Sequence, residues 1–257
     1  MSTTTARARL TPLLLLLAAC ASSRAAPPPV APAPAPSRSD EPAVLIYTRS
    51  TGYVHKSTPT AALAIAKAAN GVGVTADISD DPAYFTPDSL KRYRAVVLLA
   101  TAGEPLGSPG TEAIAALVGF IRAGGGLVGI ENATNAHVKS PEFVALLGAI
   151  FIGHPGGLRT TTCEKVGDHP AVARLPPSIT VTDEIYAFKE LRPDNQIVLR
   201  CGDGSDKIPV AWHRAEGAGR IFFSALGHRP EQWNEPPLVV DHVLPGLLWA
   251  MGIAPHP

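Results

Sequence analysis

The sequence predicts an α/β protein whose sheet is mostly parallel, with further strands in the C-terminal half. Apolar runs such as 43–48 and 95–100 end in polar residues, as is typical of parallel strands buried on both faces. As far as residue 148, these runs alternate with segments of helical periodicity, which favours a parallel sheet covered by helices. Beyond that point, apolar runs follow one another without a long helix between them. Several of the later strands are therefore expected to be antiparallel.

In the first half, the predicted elements begin and end at proline and glycine residues. Pro59 and Pro141 stand in the first turn of a helix, where the missing N–H costs no hydrogen bond. Gly71 ends the first helix, and the glycines of 124–126 end the third one before a buried strand begins. The predicted strands are 43–48, 72–78, 95–100 and 127–130, and the predicted helices are 60–70, 87–93, 111–123 and 140–148.

The second half is predicted to consist mainly of strands. Residues 151–157 are expected to form a loop, because their glycines and proline break both the helical and the strand period. A closing helix is predicted over 239–251 in spite of Pro245, and Gly252 ends it. Strands are predicted over 158–166, 179–183, 196–201, 210–214 and 220–225.

Composition indicates one large globular domain. The chain has 257 residues, of which 46% are hydrophobic and 17% are charged, so it can bury a substantial core. The formal net charge is +0, and the domain contains no run of lysine or arginine. Nucleic-acid binding requires a concentrated positive face, so nucleic acid is excluded as an expected partner.

The N-terminus has the pattern of a bacterial lipoprotein signal. Arg7 and Arg9 precede a short apolar run, 10–17, which cannot cross a bilayer as a helix. The motif Leu-Ala-Ala-Cys at 17–20 resembles the lipobox, in which the signal is cut before a cysteine that then carries lipid. The alternative is an ordinary signal peptide that happens to contain a cysteine. No aspartate follows Cys20, which favours the outer membrane of the cell envelope, on its periplasmic or surface face.

We therefore predict a signal peptide over 1–19, a tether over 20–42 and a folded domain over 43–254. The tether is rich in alanine, proline and serine, and this composition favours extended conformations over a packed core. Lipid on Cys20 makes the membrane an expected partner.

Polar side chains are concentrated where predicted strands end. Ligands of open α/β sheets bind outside the carboxyl ends of the strands, so these motifs are expected to meet there. Glu131 directly follows the strand after the glycine turn. It is predicted to transfer a proton or to bind a sugar hydroxyl, and the alternative is a carboxylate that caps the next helix. The expected catalytic residues are Glu131, Glu184, His154 and His228, and the expected substrate-binding residues are His55, Tyr53, Asn132, Thr134, Asp183 and Trp233.

Alternation and exposure support some of these assignments. Adjacent side chains of a strand point to opposite faces, so Glu184 is expected to enter the site while Asp183 bonds to nearby backbone. The alternative for this pair is an ordinary solvated turn. Tyr53 and Trp233 lie in polar loops, which favours them over the other aromatic residues as platforms for a sugar ring.

No cofactor is predicted. Three histidines and a carboxylate can bind a divalent metal, but no closely spaced histidine pair supports such a site, so no metal ligand is assigned. The glycines of 124–126 precede a strand rather than a helix, which does not fit a dinucleotide or phosphate loop. Cys163 and Cys201 form a disulfide in an oxidising periplasm or remain small buried side chains, and the sequence leaves both open. The surface or structural histidines are His169, His213, His242 and His256.

An ordered set of motifs resembles the ThuA-like (trehalose utilisation) domain. The motifs are Gly-Gly-Gly-Leu-Val-Gly-Ile at 124–130, Leu-Gly-Ala-Ile-Phe-Ile-Gly-His-Pro at 147–155, Asp-Glu-Ile-Tyr at 183–186, Pro-Val-Ala-Trp at 209–212 and the segment 219–228. The resemblance extends over 44–252. It implies a flavodoxin-like, three-layer sandwich similar to class I glutamine amidotransferases. It also implies a role in bacterial sugar metabolism, with oxidised (3-keto) disaccharides as substrates.

One position departs from the family pattern. Members commonly carry histidine where this chain has Glu131, and the related amidotransferases place a nucleophilic cysteine at the comparable turn. Glutamate cannot replace a thiolate that acts on an amide, so a cysteine-dependent amidotransferase is not expected.

Two hypotheses about the function follow. The first is an envelope-anchored enzyme that acts on a carbohydrate, a keto-sugar or disaccharide, by acid/base chemistry. The second is a non-catalytic sugar-binding or surface lipoprotein that retains the fold.

Overall fold

The computed structural model describes Met1 and residues 41–108, 111–204 and 207–253. The predicted signal peptide from residue 2 onward, Cys20 and the tether as far as residue 40 lie outside the described residues. Within the described part, no helix combines the length and the apolar character needed to span a membrane.

The chain alternates strands and helices and then becomes rich in strands. The first elements are β1 (Ala43–Tyr47), α1 (Thr58–Asn70), β2 (Thr75–Ser79), α2 (Pro87–Leu90), β3 (Ala95–Leu99), β4 (Ala102–Gly103), α3 (Glu112–Arg122), β5 (Gly126–Ile130), β6 (Asn135–Ala136), α4 (Pro141–Leu147) and β7 (Ile150–Gly153). The later elements are β8 (Leu158–Lys165), α5 (Pro170–Ala173), β9 (Ser178–Glu184), β10 (Ala187–Lys189), β11 (Gln196–Cys201), β12 (Ile208–Glu216), β13 (Gly219–Ser224), α6 (Pro236–Leu238) and α7 (Leu244–Ala250). Short 3-10 turns lie at Pro82–Tyr84, Glu131–Thr134 and Pro230–Asn234.

Nine strands form one sheet in the order β2-β1-β3-β5-β13-β12-β11-β8-β9. The first five are parallel neighbours, and the last four continue the sheet in antiparallel pairing. All residues of β3 and β5 are buried, as expected of central parallel strands. The prediction of a mostly parallel sheet, extended by antiparallel strands from the C-terminal half, is confirmed.

Helices cover both faces of the sheet, as two neighbouring residues of β13 illustrate. Phe222 and Phe223 point to opposite faces because side chains alternate along a strand. Phe222 packs beneath α7, where a Cβ at Gly246 would lie 2.5 Å from its ring. Phe223 stacks on Trp212, whose indole N–H donates to the carbonyl oxygen of Leu147 in α4 at 2.9 Å. The three-layer α/β sandwich is therefore confirmed.

One segment that was predicted to be a loop contains a strand. Ile150–Gly153 form β7, which pairs antiparallel with β10, although the glycines and proline of 151–157 predict irregular structure. The pairing partner is more than thirty residues away along the chain, and tertiary pairing overrides local propensity. Gly153, with a φ of 145°, ends the strand.

The closing helix also differs from its prediction. It begins earlier, with α6 at Pro236, and a π-helical turn at Val239–Val243 separates α6 from α7. Pro245 has no N–H to donate to the preceding turn, and the wider turn lies immediately before it.

Cys163 and Cys201 face each other on the neighbouring strands β8 and β11 and form a disulfide. Both residues are fully buried. Of the two alternatives that the sequence leaves open, the structure has the bridge. The bond joins β8 to β11, and it closes a long loop because the two cysteines are 38 residues apart in the sequence.

Replacing this pair by alanine (Cys163→Ala with Cys201→Ala) is expected to lower the free energy of unfolding by about 2–4 kcal/mol, because the cross-link no longer restricts the unfolded chain. Urea unfolding of the oxidised wild type and of the double variant measures the difference. Reduced wild type is the control, since it should lose a similar amount. Equal stability of the oxidised and reduced wild type would contradict this prediction.

Candidate functional site

Glu131 is the first residue after β5 and lies at a sharp turn. Its backbone φ is 57°, in the left-handed region that residues other than glycine rarely adopt. The side chain is buried, with an exposure of 1%. Ala100, which follows the neighbouring strand β3, has a similar φ of 51°, and its N–H donates to the carbonyl oxygen of Ile130 at 3.0 Å. Strained turns of this kind occur at functional sites. This one directs the Glu131 carboxylate toward His55, His228 and Tyr186.

Three donors from distant parts of the chain converge on one oxygen, Glu131 Oε1. His55 Nε2, from the loop between β1 and α1, lies 3.0 Å from it. His228 Nδ1, from the loop after β13, lies 3.3 Å from it. The Tyr186 hydroxyl, between β9 and β10, donates to the same oxygen. Segments that follow three different strands therefore meet around the carboxylate that follows a fourth.

A second carboxylate, Glu184, adjoins this group. Glu184 is the last residue of β9, and its side chain is 13% exposed. Its Oε2 lies 3.1 Å from His228 Nδ1, so His228 stands between the two carboxylates. Its Oε1 lies 3.6 Å from Nδ1 of His154, which directly follows β7 and is 43% exposed. We call this group of six residues the cluster: His55, Glu131, His154, Glu184, Tyr186 and His228. His154 is the member of the cluster that is most open to solvent.

The electrostatics of the cluster favour an ionised Glu131. Burial acts to raise its pKa, but the hydrogen bonds from His228, His55 and Tyr186 outweigh burial and hold the pKa of Glu131 below its usual value. The hydrogen bond to Glu131, aided by the charge of Glu184, raises the pKa of His228. Burial raises the pKa of Tyr186, and the Glu131 charge raises it further, so Tyr186 remains a neutral donor.

Asp183 joins the end of β9 to the loop after β13. It is fully buried, and burial raises its pKa while its hydrogen bonds act against that rise. Its carboxylate accepts the backbone N–H groups of Glu184 at 2.9 Å, Gly227 at 2.9 Å and His228 at 3.2 Å, and the side-chain amide of Gln232 at 2.9 Å. Two roles are predicted for Asp183 from the sequence, substrate binding and bonding to nearby backbone, and the structure has the second, because protein donors surround the carboxylate. It positions the backbone of Glu184 and His228.

Trp233 is buried beneath the loop that carries His228. Its side chain is 3% exposed, and its indole N–H donates to the carbonyl oxygen of Gly227 at 2.8 Å. Gly227 has a φ of 119°, and a Cβ there would lie 2.4 Å from the Trp233 ring. The prediction of Trp233 as a platform for a sugar ring is therefore corrected, because the 3-10 turn at Pro230–Asn234 directs the indole inward.

The remaining predicted residues lie near Glu131 or beside His55. Asn132 and Thr134 belong to the 3-10 turn that begins at Glu131 and are buried. Asn132 Oδ1 and Thr134 Oγ1 have no hydrogen-bond partner within the described part of the chain. Tyr53 is 60% exposed, and its ring meets that of His55 edge to face, with centroids 4.6 Å apart. Tyr53 thus keeps a face open to solvent.

Sequence reasoning missed the contribution of Tyr186 and Gln232. Tyr186 lies two residues after Glu184, and the alternation of side chains places such a pair on the same side of an extended chain. That spacing from Glu184 is the sequence signal that identifies Tyr186. Gln232 lies in the polar loop after β13, and nothing in its local sequence distinguishes it.

One group among the described residues has the composition of a metal centre. A ligand atom from each of His55, Glu131, Glu184 and His228 lies within 4.8 Å of the others. Such an arrangement can hold a cation, store a proton or polarise an oxygen atom of a substrate. His154 stands beside this group at the solvent side.

The fold and the site define a three-layer α/β domain, with a fold like that of class I glutamine amidotransferases, in which a buried glutamate occupies the turn after β5. The chain belongs to the ThuA family, since the family model described as trehalose utilisation matches residues 43–250. The family predicted from the sequence motifs is thereby confirmed. No curated protein sequence matches the chain significantly.

Solved structures share this fold at low sequence identity. A protein described as ThuA-like from Bacteroides uniformis is 20% identical, with a TM-score of 0.67, and the match covers 84% of this chain and 94% of that one. A ThuA-like protein from Parabacteroides merdae is 18% identical, with a TM-score of 0.63 and coverage of 84% and 92%. A cytoplasmic protein from Salmonella typhimurium is 16% identical, with a TM-score of 0.58 and coverage of 81% and 98%.

Proposed function

We propose that this protein is an envelope-anchored enzyme that acts on a carbohydrate, a keto-sugar or disaccharide, by proton transfer at the carboxyl edge of its sheet. One observation carries the proposal: a buried carboxylate, Glu131, accepts hydrogen bonds from two histidines and a tyrosine on separate segments. Perturbed, buried titratable groups that converge at a strand end are typical of active sites. The trehalose utilisation family supports a sugar as the substrate.

Glu131 and His154 have different roles in this proposal. Glu131 is buried and its pKa is lowered, so it is a weak base that holds His55 and His228 in place and stabilises positive charge. His154 is the exposed group, and Glu184 Oε1 orients its Nδ1 at 3.6 Å. The other ring nitrogen of His154 then faces outward from this contact and exchanges a proton with the substrate. Imidazole suits this task near neutral pH.

Tyr53 is the proposed platform for the sugar ring. Its exposed ring stands against His55, so a sugar stacked on it would lie next to the cluster. Aromatic faces bind the apolar faces of sugar rings through contact area.

Lipid on Cys20 is proposed to anchor the protein to the membrane of the cell envelope. The buried disulfide agrees with an oxidising envelope compartment.

The proposal is tested by incubating the full chain with trehalose and with 3-keto-trehalose and identifying products by NMR. Conversion of the keto-sugar is expected. His154→Ala is expected to lower turnover by about 10²–10⁴-fold, the usual contribution of a general acid or base. Glu142→Gln, at an exposed position of α4, is the control and should retain full turnover. Calorimetric binding of either sugar without any product would instead favour the non-catalytic sugar-binding lipoprotein.

A further inference from the structure

We infer that His55, Glu131, Glu184 and His228 form a binding site for one divalent transition-metal ion, and that Zn²⁺ fits the ligand set. The inference deepens the proposed function, and its meaning for catalysis rests on that function. Binding of the ion, however, requires no turnover of any sugar.

The spacing of the ligand atoms matches that of a four-coordinate ion. In a tetrahedral zinc site with bonds of about 2.0–2.1 Å, ligand atoms lie about 3.4 Å apart. His55 Nε2 lies 3.0 Å from Glu131 Oε1, and His228 Nδ1 lies 3.3 Å from the same oxygen. Glu184 Oε2 lies 3.1 Å from His228 Nδ1, and all four atoms lie within 4.8 Å of one another. The three contacting pairs lie within about 0.4 Å of that spacing, and the most distant pair would close by about 1.4 Å to bring all four atoms around a common centre.

The negative charges of two buried carboxylates favour a bound cation at this site. Glu131 and Glu184 are 1% and 13% exposed, and within the described residues no lysine or arginine forms a salt bridge with either carboxylate. A buried carboxylate without a compensating charge is costly. Glu131 Oε2 is also buried and has no hydrogen-bond partner among the described residues. Two neutral imidazoles and two carboxylates would surround a doubly charged ion with a net charge of zero.

The surroundings of the four ligands resemble the supporting groups of a metal centre. Metal ligands are normally held by a further layer of hydrogen bonds. Asp183 accepts the backbone N–H groups of both Glu184 and His228, although it supplies no ligand itself. Tyr186 donates to Glu131. Two ligands from separate segments, Glu184 and His228, are thus fixed to one buried carboxylate, and Glu131 is fixed by a buried hydroxyl.

The ligand types select the kind of ion. Imidazole nitrogen favours zinc and its transition-metal neighbours over magnesium and calcium, which prefer sites made of oxygen alone. The two cysteines of the domain are joined in a disulfide and contribute no thiolate. His154 lies outside the group of four, so it remains available to move a proton while Glu184 contacts it through its other oxygen.

The test measures metal binding alone. The full chain is freed of metal with a chelator and titrated with Zn²⁺ in a calorimeter, with Mg²⁺ as the comparison ion. One Zn²⁺ per chain is expected, and Mg²⁺ is expected to bind far more weakly. His55→Gln and Glu184→Gln are each expected to weaken Zn²⁺ binding by at least about 10–100-fold, since even residues that only support metal ligands have effects of that size. Glu142→Gln, an exposed carboxylate of α4 outside the group, is the matched control and is expected to keep the wild-type affinity.

Two results would overturn the inference: no stoichiometric Zn²⁺ binding by the wild type, or unchanged binding in both His55→Gln and Glu184→Gln. Circular dichroism checks that the variants fold. If they do not fold, Co²⁺ loaded into the wild type decides, because ligation by histidine nitrogen in a four-coordinate site gives strong visible absorption, and its absence rejects the site. The two proposals fail separately. Turnover of the keto-sugar by a protein that binds no Zn²⁺ overturns only the metal site, whereas Zn²⁺ binding without turnover of any sugar overturns only the proposed function.

Discussion

Lowering the pH from 7 to 5 is expected to remove about 4 kcal/mol from the free energy of unfolding through two buried histidines, His169 and His242. Burial, with smaller contributions from His213 and His242, lowers the pKa of His169 to about 3. Burial lowers the pKa of His242 to about 4. In the unfolded chain, both side chains titrate near the ordinary value of about 6.5.

The sign of the effect follows from which state binds protons first. Because the folded pKa values are depressed, the unfolded chain takes up protons at a higher pH than the folded protein does. The stability is fully present above pH of about 6.5, and it is lost as the pH falls from there toward the folded pKa values. In this window, each histidine lowers the free energy of unfolding by about 1.4 kcal/mol per pH unit. The loss reaches about 2 kcal/mol per histidine at pH 5.

The contacts of the two rings explain why the neutral form is the native one. His242 Nδ1 lies 2.8 Å from the carbonyl oxygen of Ala171, to which it donates, and Nε2 lies 2.9 Å from the Ser224 hydroxyl. His169 Nδ1 accepts the backbone N–H of Ala171 at 3.2 Å and thereby caps α5. A proton on that nitrogen would remove the cap acceptor, and the ring stacks on His213 at 4.2 Å, where a second positive charge is unfavourable.

A matched variant isolates the contribution of His169. His169→Asn keeps a good capping side chain but removes the titrating group. Urea unfolding at pH 8, 7 and 5 is expected to show that the variant loses about 2 kcal/mol less than the wild type between pH 7 and pH 5. The values at pH 8 provide the reference for any packing loss. Parallel pH dependences of the two proteins would contradict the assignment.

Much of the fold was predictable because its central part is locally encoded. The runs of β3 and β5 are apolar without alternation and each is followed by a polar turn, which is the pattern of parallel strands. The strand Ile150–Gly153 was not predictable in this way, because its order comes from pairing with β10. The same holds for the disulfide, since the register of β8 against β11 decides whether two cysteines meet.

The residues of the candidate site were easier to predict from the sequence than their arrangement in space. Glu131, His55 and His228 each follow a strand of the parallel half, and the carboxyl-edge rule brings them together. Glu184 comes from β9, the fourth strand beyond β13 in the sheet, so its arrival at the same cluster depends on how the antiparallel half folds back. The inward side chain of Trp233 and the Asp183 contacts depend on the same loop packing, which no sequence period encodes.

Glu131→Gln is expected to lower turnover of the sugar by about 10²–10³-fold, the range found when one preorganised electrostatic group is removed from an active site. The amide keeps the size of the side chain, and its oxygen can still accept from His55 and Tyr186 in the place of Oε1. What is lost is the negative charge that stabilises positive charge on His228 and on any cation held by the cluster.

The same substitution is expected to cost little stability, which separates a functional role from a structural one. The hydrogen bonds that lower the pKa of Glu131 show that its charge stabilises the fold, so some stability is lost with the charge. The loss stays small because the amide oxygen still accepts from His55 and Tyr186, and the left-handed backbone is strained for either side chain. Turnover and urea unfolding measured on Glu131→Gln and on the exposed control Glu142→Gln test both parts. Loss of several kcal/mol of stability would make Glu131 a structural residue, and near-wild-type turnover would remove it from the chemistry. Lost turnover in a protein that keeps most of its stability is the combination expected of an active-site carboxylate, because strained and buried groups at functional sites serve activity at a cost in stability.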